Sequence, residues 1–266
     1  MLDRYNRKIN YLRISVTDRC NLRCRYCMPE EGVKFLSHDE ILSFEEIRDV
    51  VEVAVPLGID KIRITGGEPL VRKGVVDLVK MIASVKGVKD LAMTTNGLLL
   101  SEYAKPLVKA GLKRVNISLD TLDPEKFSSV TRGGDIGKVI QGIDAAKEAG
   151  LDPVKINCVV KSFEYRDEVD SIKQFCNQRN LQLRLISQMD LNSGVFGVVE
   201  GGTGGDCANC NRLRLTSNGM MKPCLFSDIQ YSVRELGPIK AIELALGMKP
   251  LQGTVNPNNC FYNIGG

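Results

Sequence analysis

The chain has 266 residues, and its 43% hydrophobic and 26% charged side chains lie close to the average for a soluble globular protein with a sizeable core, either one large domain or a large and a small one. Basic residues exceed acidic ones by 36 to 32, too small and too scattered an excess for a nucleic-acid binder, and no apolar run approaches the ~20 residues of a bilayer span. The opening MLDRYNRKIN has no apolar signal-peptide segment, so a cytoplasmic location without a membrane partner is expected.

In chain order, YLRISV (11–16) reads as a strand, and Ser43 to Val55 reads as a helix, with Ser43 as N-cap and Glu46 completing a capping box. KIRIT (61–65) is the next strand, then a helix around Lys73–Val85. LAMTT (91–95) precedes a helix at Ser101–Ala110, and RVNISL (114–119) precedes one at about Ile136–Ala149. PVKINCVV (153–160), a helix from about Tyr165 to Asn177 and LQLRLIS (181–187) complete six strand–helix units, with Gly58, Gly97, Gly111 and Gly150 at the breaks. Beyond Asp190 the Gly-rich LNSGVFGVVEGGTGGD reads as a linker or mobile loop, followed by a helix within Ile229–Leu246 and the ending FYNIGG.

Six such units predict an α/β fold with a parallel sheet and right-handed crossovers, open or curled into a partial barrel. Ligands then gather at the C-terminal ends of the strands. The unusual residues fall there: a cysteine group after strand one, Gly66-Gly67-Glu68-Pro69 after strand two, Thr94 to Gly97 after strand three, Ser118 and Asp120 after strand four, and Met189 and Asp190 after strand six. The expected division is a barrel over 1–190 and a smaller unit over 191–266.

Nine cysteines in a chain that is neither small nor secreted point to metal or cluster ligation, and the single histidine, His38, nearly excludes a pair of mixed Cys/His zinc sites. Cys20-x3-Cys24-x2-Cys27 supplies three thiolates. They could serve three irons of a [4Fe–4S] cube and leave the fourth iron open to the amino and carboxylate groups of S-adenosylmethionine, or make a zinc knuckle with His38 or another cysteine. Cys207-x2-Cys210-x13-Cys224 again supplies three, for a second cluster or for zinc with Cys260 as fourth ligand. Cys158 and Cys176 read as buried strand and helix residues. Arg13 and Arg63 lie inside apolar strands, where an unpaired charge is costly, so an anionic ligand or a buried acid is expected beside them. Arg212 and Arg214 alternate in NRLRLT and share a face, whether as ordinary solvated charge or as an anion clamp.

The segment CNLRCRYC, with Tyr26 before the third cysteine, resembles the cluster motif of the radical S-adenosylmethionine superfamily, and GGEP resembles its second element. The stretches LRISVTDRCNLRCRYCMP, KIRITGGEPLVRKG, MTTNG, RVNISLDTLD, VKINCVVK and CANCNRLRLT…KPCLFSD are similar to the MoaA family, the GTP 3′,8-cyclases of molybdenum cofactor biosynthesis. The resemblance implies a partial (βα)6 TIM-like barrel with a small C-terminal iron–sulfur domain. It implies one [4Fe–4S] cluster on Cys20, Cys24 and Cys27 and a second on Cys207, Cys210 and Cys224 whose open iron meets guanine. Tyr26, Gly67, Ser118 and Met189 would contact S-adenosylmethionine; Arg13, Arg63, Thr94, Lys155, Arg212 and Arg214 would line the GTP site, the last two as catalytic arginines. It further implies an external electron donor such as flavodoxin or ferredoxin, the downstream cyclic pyranopterin synthase MoaC, a homodimer, and a Gly265-Gly266 tail reaching the site. The chain departs from the family between Met189 and Cys207, where MoaA proteins are considerably longer. Two other readings stand beside this one: a radical enzyme acting on a peptide, and a non-enzymatic iron–sulfur or zinc module.

Overall fold

The computed structural model describes residues 1–160, 166–189, 197–253 and Ile264. One nine-stranded sheet organises them, in the order β6-β5-β4-β3-β2-β1-β7-β8-β9. Strands β1 (Tyr11–Ser15), β2 (Lys61–Thr65), β3 (Asp90–Thr95), β4 (Arg114–Ser118), β5 (Val154–Val160) and β6 (Gln182–Ser187) are parallel and sequential. Between them run α1 (Phe44–Ala54), α2 (Val75–Ser84), α3 (Leu100–Lys109), α4 (Pro124–Thr131), α5 (Ile136–Glu148) and α6 (Arg166–Gln178). These are the strand–helix units that the periodicity predicts, and the parallel α/β sheet matches the partial barrel expected. Ser43 caps α1 as anticipated: its side chain accepts from the Glu46 N–H at 3.1 Å, and the Glu46 carboxylate accepts from the Ser43 N–H at 2.7 Å.

Helix α4 is an addition to the sequence reading. Asp123 caps it by accepting from the Glu125 and Lys126 N–H groups, and Pro124 takes the first helical position. Past the Gly-rich stretch, β7 (Arg212–Leu215) lies parallel to β1 on its free edge, and β8 (Met220–Lys222) and β9 (Tyr231–Ser232) follow antiparallel. The sheet therefore runs continuously from the first part of the chain into the second. A single turn, α7 (Val233–Leu236), leads to α8 (Pro238–Gly247), which packs on α1.

Register gives the sheet two unlike faces, since directly paired residues and every second residue along a strand share a side. One face carries Leu12, Ile14, Ile62, Ile64, Leu91, Met93, Val115, Ile117, Ile156, Leu213 and Leu215, all buried in the main core with the apolar faces of the helices. The other carries Arg13, Arg63, Arg114, Asn116, Lys155, Arg184, Arg212 and Arg214. Burial of the first face drives the fold; the second is available for chemistry.

Candidate functional site

The polar face encloses a cavity of about 220 Å³ lined by Tyr11, Arg13, Lys61, Arg63, Asp90, Arg114, Asn157, Arg184, Met189, Arg212 and Arg214, among others. Arg13 stands directly between Arg63 on β2 and Arg214 on β7. Asp90 is the one acidic side chain lining the cavity among the described residues, and it is engaged by Arg114 at 2.5 Å. Burial pushes Arg13 well below its ordinary range, with the Arg214 charge adding to it, and holds Arg214 at about 10. Burial and then Arg184 lower Lys155 to about 8.

Several buried polar atoms here lack a protein partner: Tyr11 Oη, Arg63 Nε, Thr94 Oγ1, Arg114 Nη1 and Arg184 Nε. With its amide oxygen turned toward them, Asn116 accepts from Arg63 Nη1 and Arg184 Nη1 at 3.0 Å each. Buried donors without acceptors, in a field of one sign, are the signature of a site for a polyanion.

The loop after β1 brings up Cys20, Cys24 and Cys27, each half-buried with a free thiol. It is held from beneath by the glycine pair of GGEP. The Gly67 N–H donates to Thr17 O at 2.7 Å and the Glu68 N–H to Arg19 O at 2.8 Å. A Cβ at Gly67 would stand 2.4 Å from Arg19 O, and one at Gly66 2.7 Å from Thr17 O, so only glycine lets the cysteine loop lie down on this turn. The fully buried Glu68 carboxylate accepts from the Leu70 N–H, the Thr95 hydroxyl and the Asn96 N–H. Asn96 in turn points its amide at Cys20 Sγ, 3.8 Å away.

Burial raises the Cys20 thiol to about 11 and the Cys24 thiol to about 12, and each feels the charge of its neighbouring cysteines. Thiolates in this loop therefore need a cation to hold them. Among the described residues no three Cys, His, Asp or Glu side chains converge on the point a single metal ion would occupy. A four-iron cube does not require that convergence, because each cysteine meets a different iron. Tyr26 hydrogen-bonds Asp120, and with Ser118, Cys24 and Asn96 it lines a small pocket next to a larger cavity of about 510 Å³ walled by Asp120, Thr121 and Val159.

The second group lies at the opposite edge of the sheet. Cys207 and Cys210 precede β7, and Cys224 follows the antiparallel β8, so all three are at the end where β1 begins; the first group is where β1 ends. Five residues of strand separate the two edges, about 16 Å. Arg214 feels both Cys224 and Cys210. Burial works to raise Cys210, but the charges of Lys249 and Arg212, together with hydrogen bonds from the Arg212 N–H and the Lys249 ammonium, outweigh it, and its thiol sits below the ordinary value. Met189 and Cys224 each pack against the small buried cluster of Leu225, Phe226 and Ile264.

Most residues singled out from the sequence thus fall on two connected areas. Arg13, Arg63, Arg212, Arg214 and Met189 line the basic cavity, with Thr94 and Lys155 on the same sheet face. Cys20, Cys24, Cys27, Tyr26, Gly67 and Ser118 gather at the C-terminal strand ends. Cys158 and Cys176 are buried, as expected. Asp190, Cys260 and the Gly265-Gly266 tail lie outside the described residues. Tyr11, Arg114 and Arg184 line the cavity and Asn116 contacts two of its arginines, but all four escaped the sequence reading; the rule that exposed Arg13, a charge inside an apolar strand, applies to Arg184 in QLRLIS, whereas Arg114 only opens its strand.

The sequence matches the radical SAM superfamily over residues 14–176. A GTP 3′,8-cyclase of Thermodesulfovibrio yellowstonii is 44% identical, covering 89% of this chain and 88% of that protein. One from Petrotoga mobilis is 40% identical, covering 98% and 97%. The chain belongs to the GTP 3′,8-cyclase family of radical SAM proteins. Membership brings one [4Fe–4S] cluster and S-adenosylmethionine, which the free thiols and the glycine turn beneath them fit. The region aligned with the Petrotoga cyclase runs over 313 residues, more than the 266 of this chain, so that family member has residues within the match that are missing here. Among solved structures, SuiB of Streptococcus suis bound to S-adenosylmethionine superposes with a TM-score of 0.66 at 16% identity, over 86% of this chain and 64% of that one. Methylornithine synthase (PylB) gives 0.56 at 15%, over 69% and 54%. At such identities these two share the fold with the cyclase family member described here. No helix of the described residues is long and apolar enough to cross a membrane.

Proposed function

We propose that this protein converts GTP to 3′,8-cyclo-7,8-dihydro-GTP in molybdenum cofactor biosynthesis, with the triphosphate held on the basic sheet face between two cysteine groups. The observation that carries this is the cavity itself: six arginines and, among the described residues, one acid line it, and several donors have no protein acceptor. A peptide would need several clustered acidic side chains to satisfy such a surface, whereas a triphosphate carries the charge and the bidentate acceptors in one group.

Cys20, Cys24 and Cys27 hold the first cluster, and Cys207, Cys210 and Cys224 a second one. Bound at the first group, the cluster and S-adenosylmethionine supply a 5′-deoxyadenosyl radical that can take the 3′ hydrogen of GTP. Tyr26, Gly67, Ser118 and Met189 position S-adenosylmethionine. Arg13, Arg63, Thr94, Lys155, Arg212 and Arg214 bind and orient the nucleotide, with Arg212 and Arg214 nearest the second cysteine group and serving as the catalytic pair. The strand length separating the two groups leaves room for one nucleotide laid along the sheet, sugar toward the first group and base toward the second. The enclosing walls keep water from the reacting carbons. An external reductant of the flavodoxin or ferredoxin class supplies the electron, and MoaC takes the product. A homodimer in the cytoplasm fits the family.

Anaerobic incubation of reconstituted protein with GTP, S-adenosylmethionine and dithionite should yield 5′-deoxyadenosine and a cyclised nucleotide in equal amounts. Deoxyadenosine alone would sink the GTP assignment and leave the radical chemistry standing.

A further inference from the structure

Lys249 follows α8 and is among the most completely buried large side chains of the molecule, 2% exposed. Its ammonium donates to Arg212 O at 2.7 Å and to Pro223 O at 2.8 Å, and it hydrogen-bonds the Cys210 thiol. An ammonium has three donors, and all three are used on the segments that carry Cys210 and Cys224. Among the described residues no carboxylate lies within ion-pair distance of it. A neighbouring buried cation differs in this respect. Arg7 holds Cys207 O at 2.7 Å and Pro250 O at 2.7 Å, yet its charge is met by Asp3 at 2.6 Å. A buried charge with no counter-ion is strongly disfavoured, and among the described residues the groups that can answer Lys249 are the sulfurs of Cys210 and Cys224 once they are thiolates.

We infer that Lys249 is a positioning residue of the second cysteine group: its buried ammonium is the counter-charge to a cluster held there, fixes Cys210 against Cys224, and raises that cluster's reduction potential. The inference rests on the proposed second cluster. Reduction adds one negative charge to the cluster, and a cation hydrogen-bonded to a ligating sulfur favours the more negative state. The side chain also ties the C-terminal end of α8 to both edges of the β7–β8 hairpin, which explains why a lysine is buried where an apolar residue would pack at less cost.

The test is a potentiometric EPR titration of anaerobically reconstituted holoenzyme, with iron counted in parallel. Wild type should carry about eight irons, two cubes; about four would remove the second cluster, and this inference with it. Lys249→Met should make the second cluster about tenfold harder to reduce, about 59 mV for a one-electron couple, and should leave the cluster on Cys20, Cys24 and Cys27 unchanged. Lys249→Arg, which keeps the charge, should stay within about threefold of wild type. Eight irons with equal potentials in wild type and Lys249→Met would overturn the inference. Should the Met variant not fold, wild-type holoenzyme labelled with 15N-lysine decides: a 15N hyperfine coupling to the reduced second cluster that disappears in Lys249→Arg supports the contact, and its absence in wild type refutes it.

Discussion

Lys155 lies opposite Asn116 on one side and Gln182 on the other, in the field of Arg184, Arg114 and Arg63. Burial first, and those like charges second, lower its ammonium to about 8. The folded protein therefore releases this proton before the unfolded chain does, so the contribution of Lys155 to stability rises with pH between about 8 and its ordinary 10.5. Ligand binding has the opposite sign, since a triphosphate favours the charged form. GTP affinity should be flat up to about pH 8 and then fall, by at most about tenfold per pH unit for one proton. Isothermal titration from pH 7 to 10 reads this directly. Lys155→Arg should keep affinity flat over the same range, because a guanidinium stays charged there; an unchanged break in that variant would assign it elsewhere. At this scale the sequence is informative where a residue contradicts its surroundings. Arg13 and Arg63 stand out in YLRIS and KIRIT. Asn116 does not, because a neutral amide in a strand breaks no rule until two arginines are seen to meet it. Lys249 sits just past α8 in MKP, where no periodicity marks it as buried.

The GGEP turn is the element on which the cysteine loop depends. Its two backbone bonds to Thr17 and Arg19 set the height of the loop, and its close approach leaves no room for a methyl group. Gly67→Ala would press a Cβ against the Arg19 carbonyl, 2.4 Å away, and main chain cannot swing aside as a side chain can. A loss of about 1–3 kcal/mol is expected by urea denaturation, with the iron retained by Cys20, Cys24 and Cys27 falling in step. Gly247→Ala is the control: nothing lies within 4 Å of its added Cβ, at the end of α8, so stability should be unchanged or slightly higher. Equal effects of the two would remove the close-approach argument. Elements with a strong hydrophobic period, β1 to β6 and their helices, could be read before the structure. β8 and β9, three and two residues long, could not, since they are strands only through their pairing with β7. Helix α4 carried a readable Asp-Pro-Glu start but only two buried residues, too weak a stripe to register.

For the whole molecule, the two faces of one sheet divide the work of folding and function. The apolar face supplies the core; the basic face stores repulsion among Arg13, Arg63, Arg184, Arg212 and Arg214, relieved by one acid among the described lining residues. The two cysteine groups close this face at opposite edges, an arrangement invisible to the rule that ligands collect at C-terminal strand ends, because Cys207 and Cys210 lie before the N-terminal end of β7 and Cys224 returns to that end through the antiparallel β8. Stored repulsion makes the empty protein less stable than its core alone would allow, and a polyanion should recover that stability without any nucleoside. Inorganic tripolyphosphate at about 100 times its Kd should add about 2.7 kcal/mol, and at about 2–4 °C per kcal/mol for a chain of this size the melting temperature should rise by about 5–10 °C in anaerobic scanning fluorimetry. Guanosine, which lacks phosphate, should give little or none of this. Replacing Arg13 and Arg214 together by methionine should raise the melting temperature of the empty protein and abolish the tripolyphosphate shift, since both consequences follow from the same buried charges. A shift that survived the double replacement would place the anion site elsewhere on the molecule.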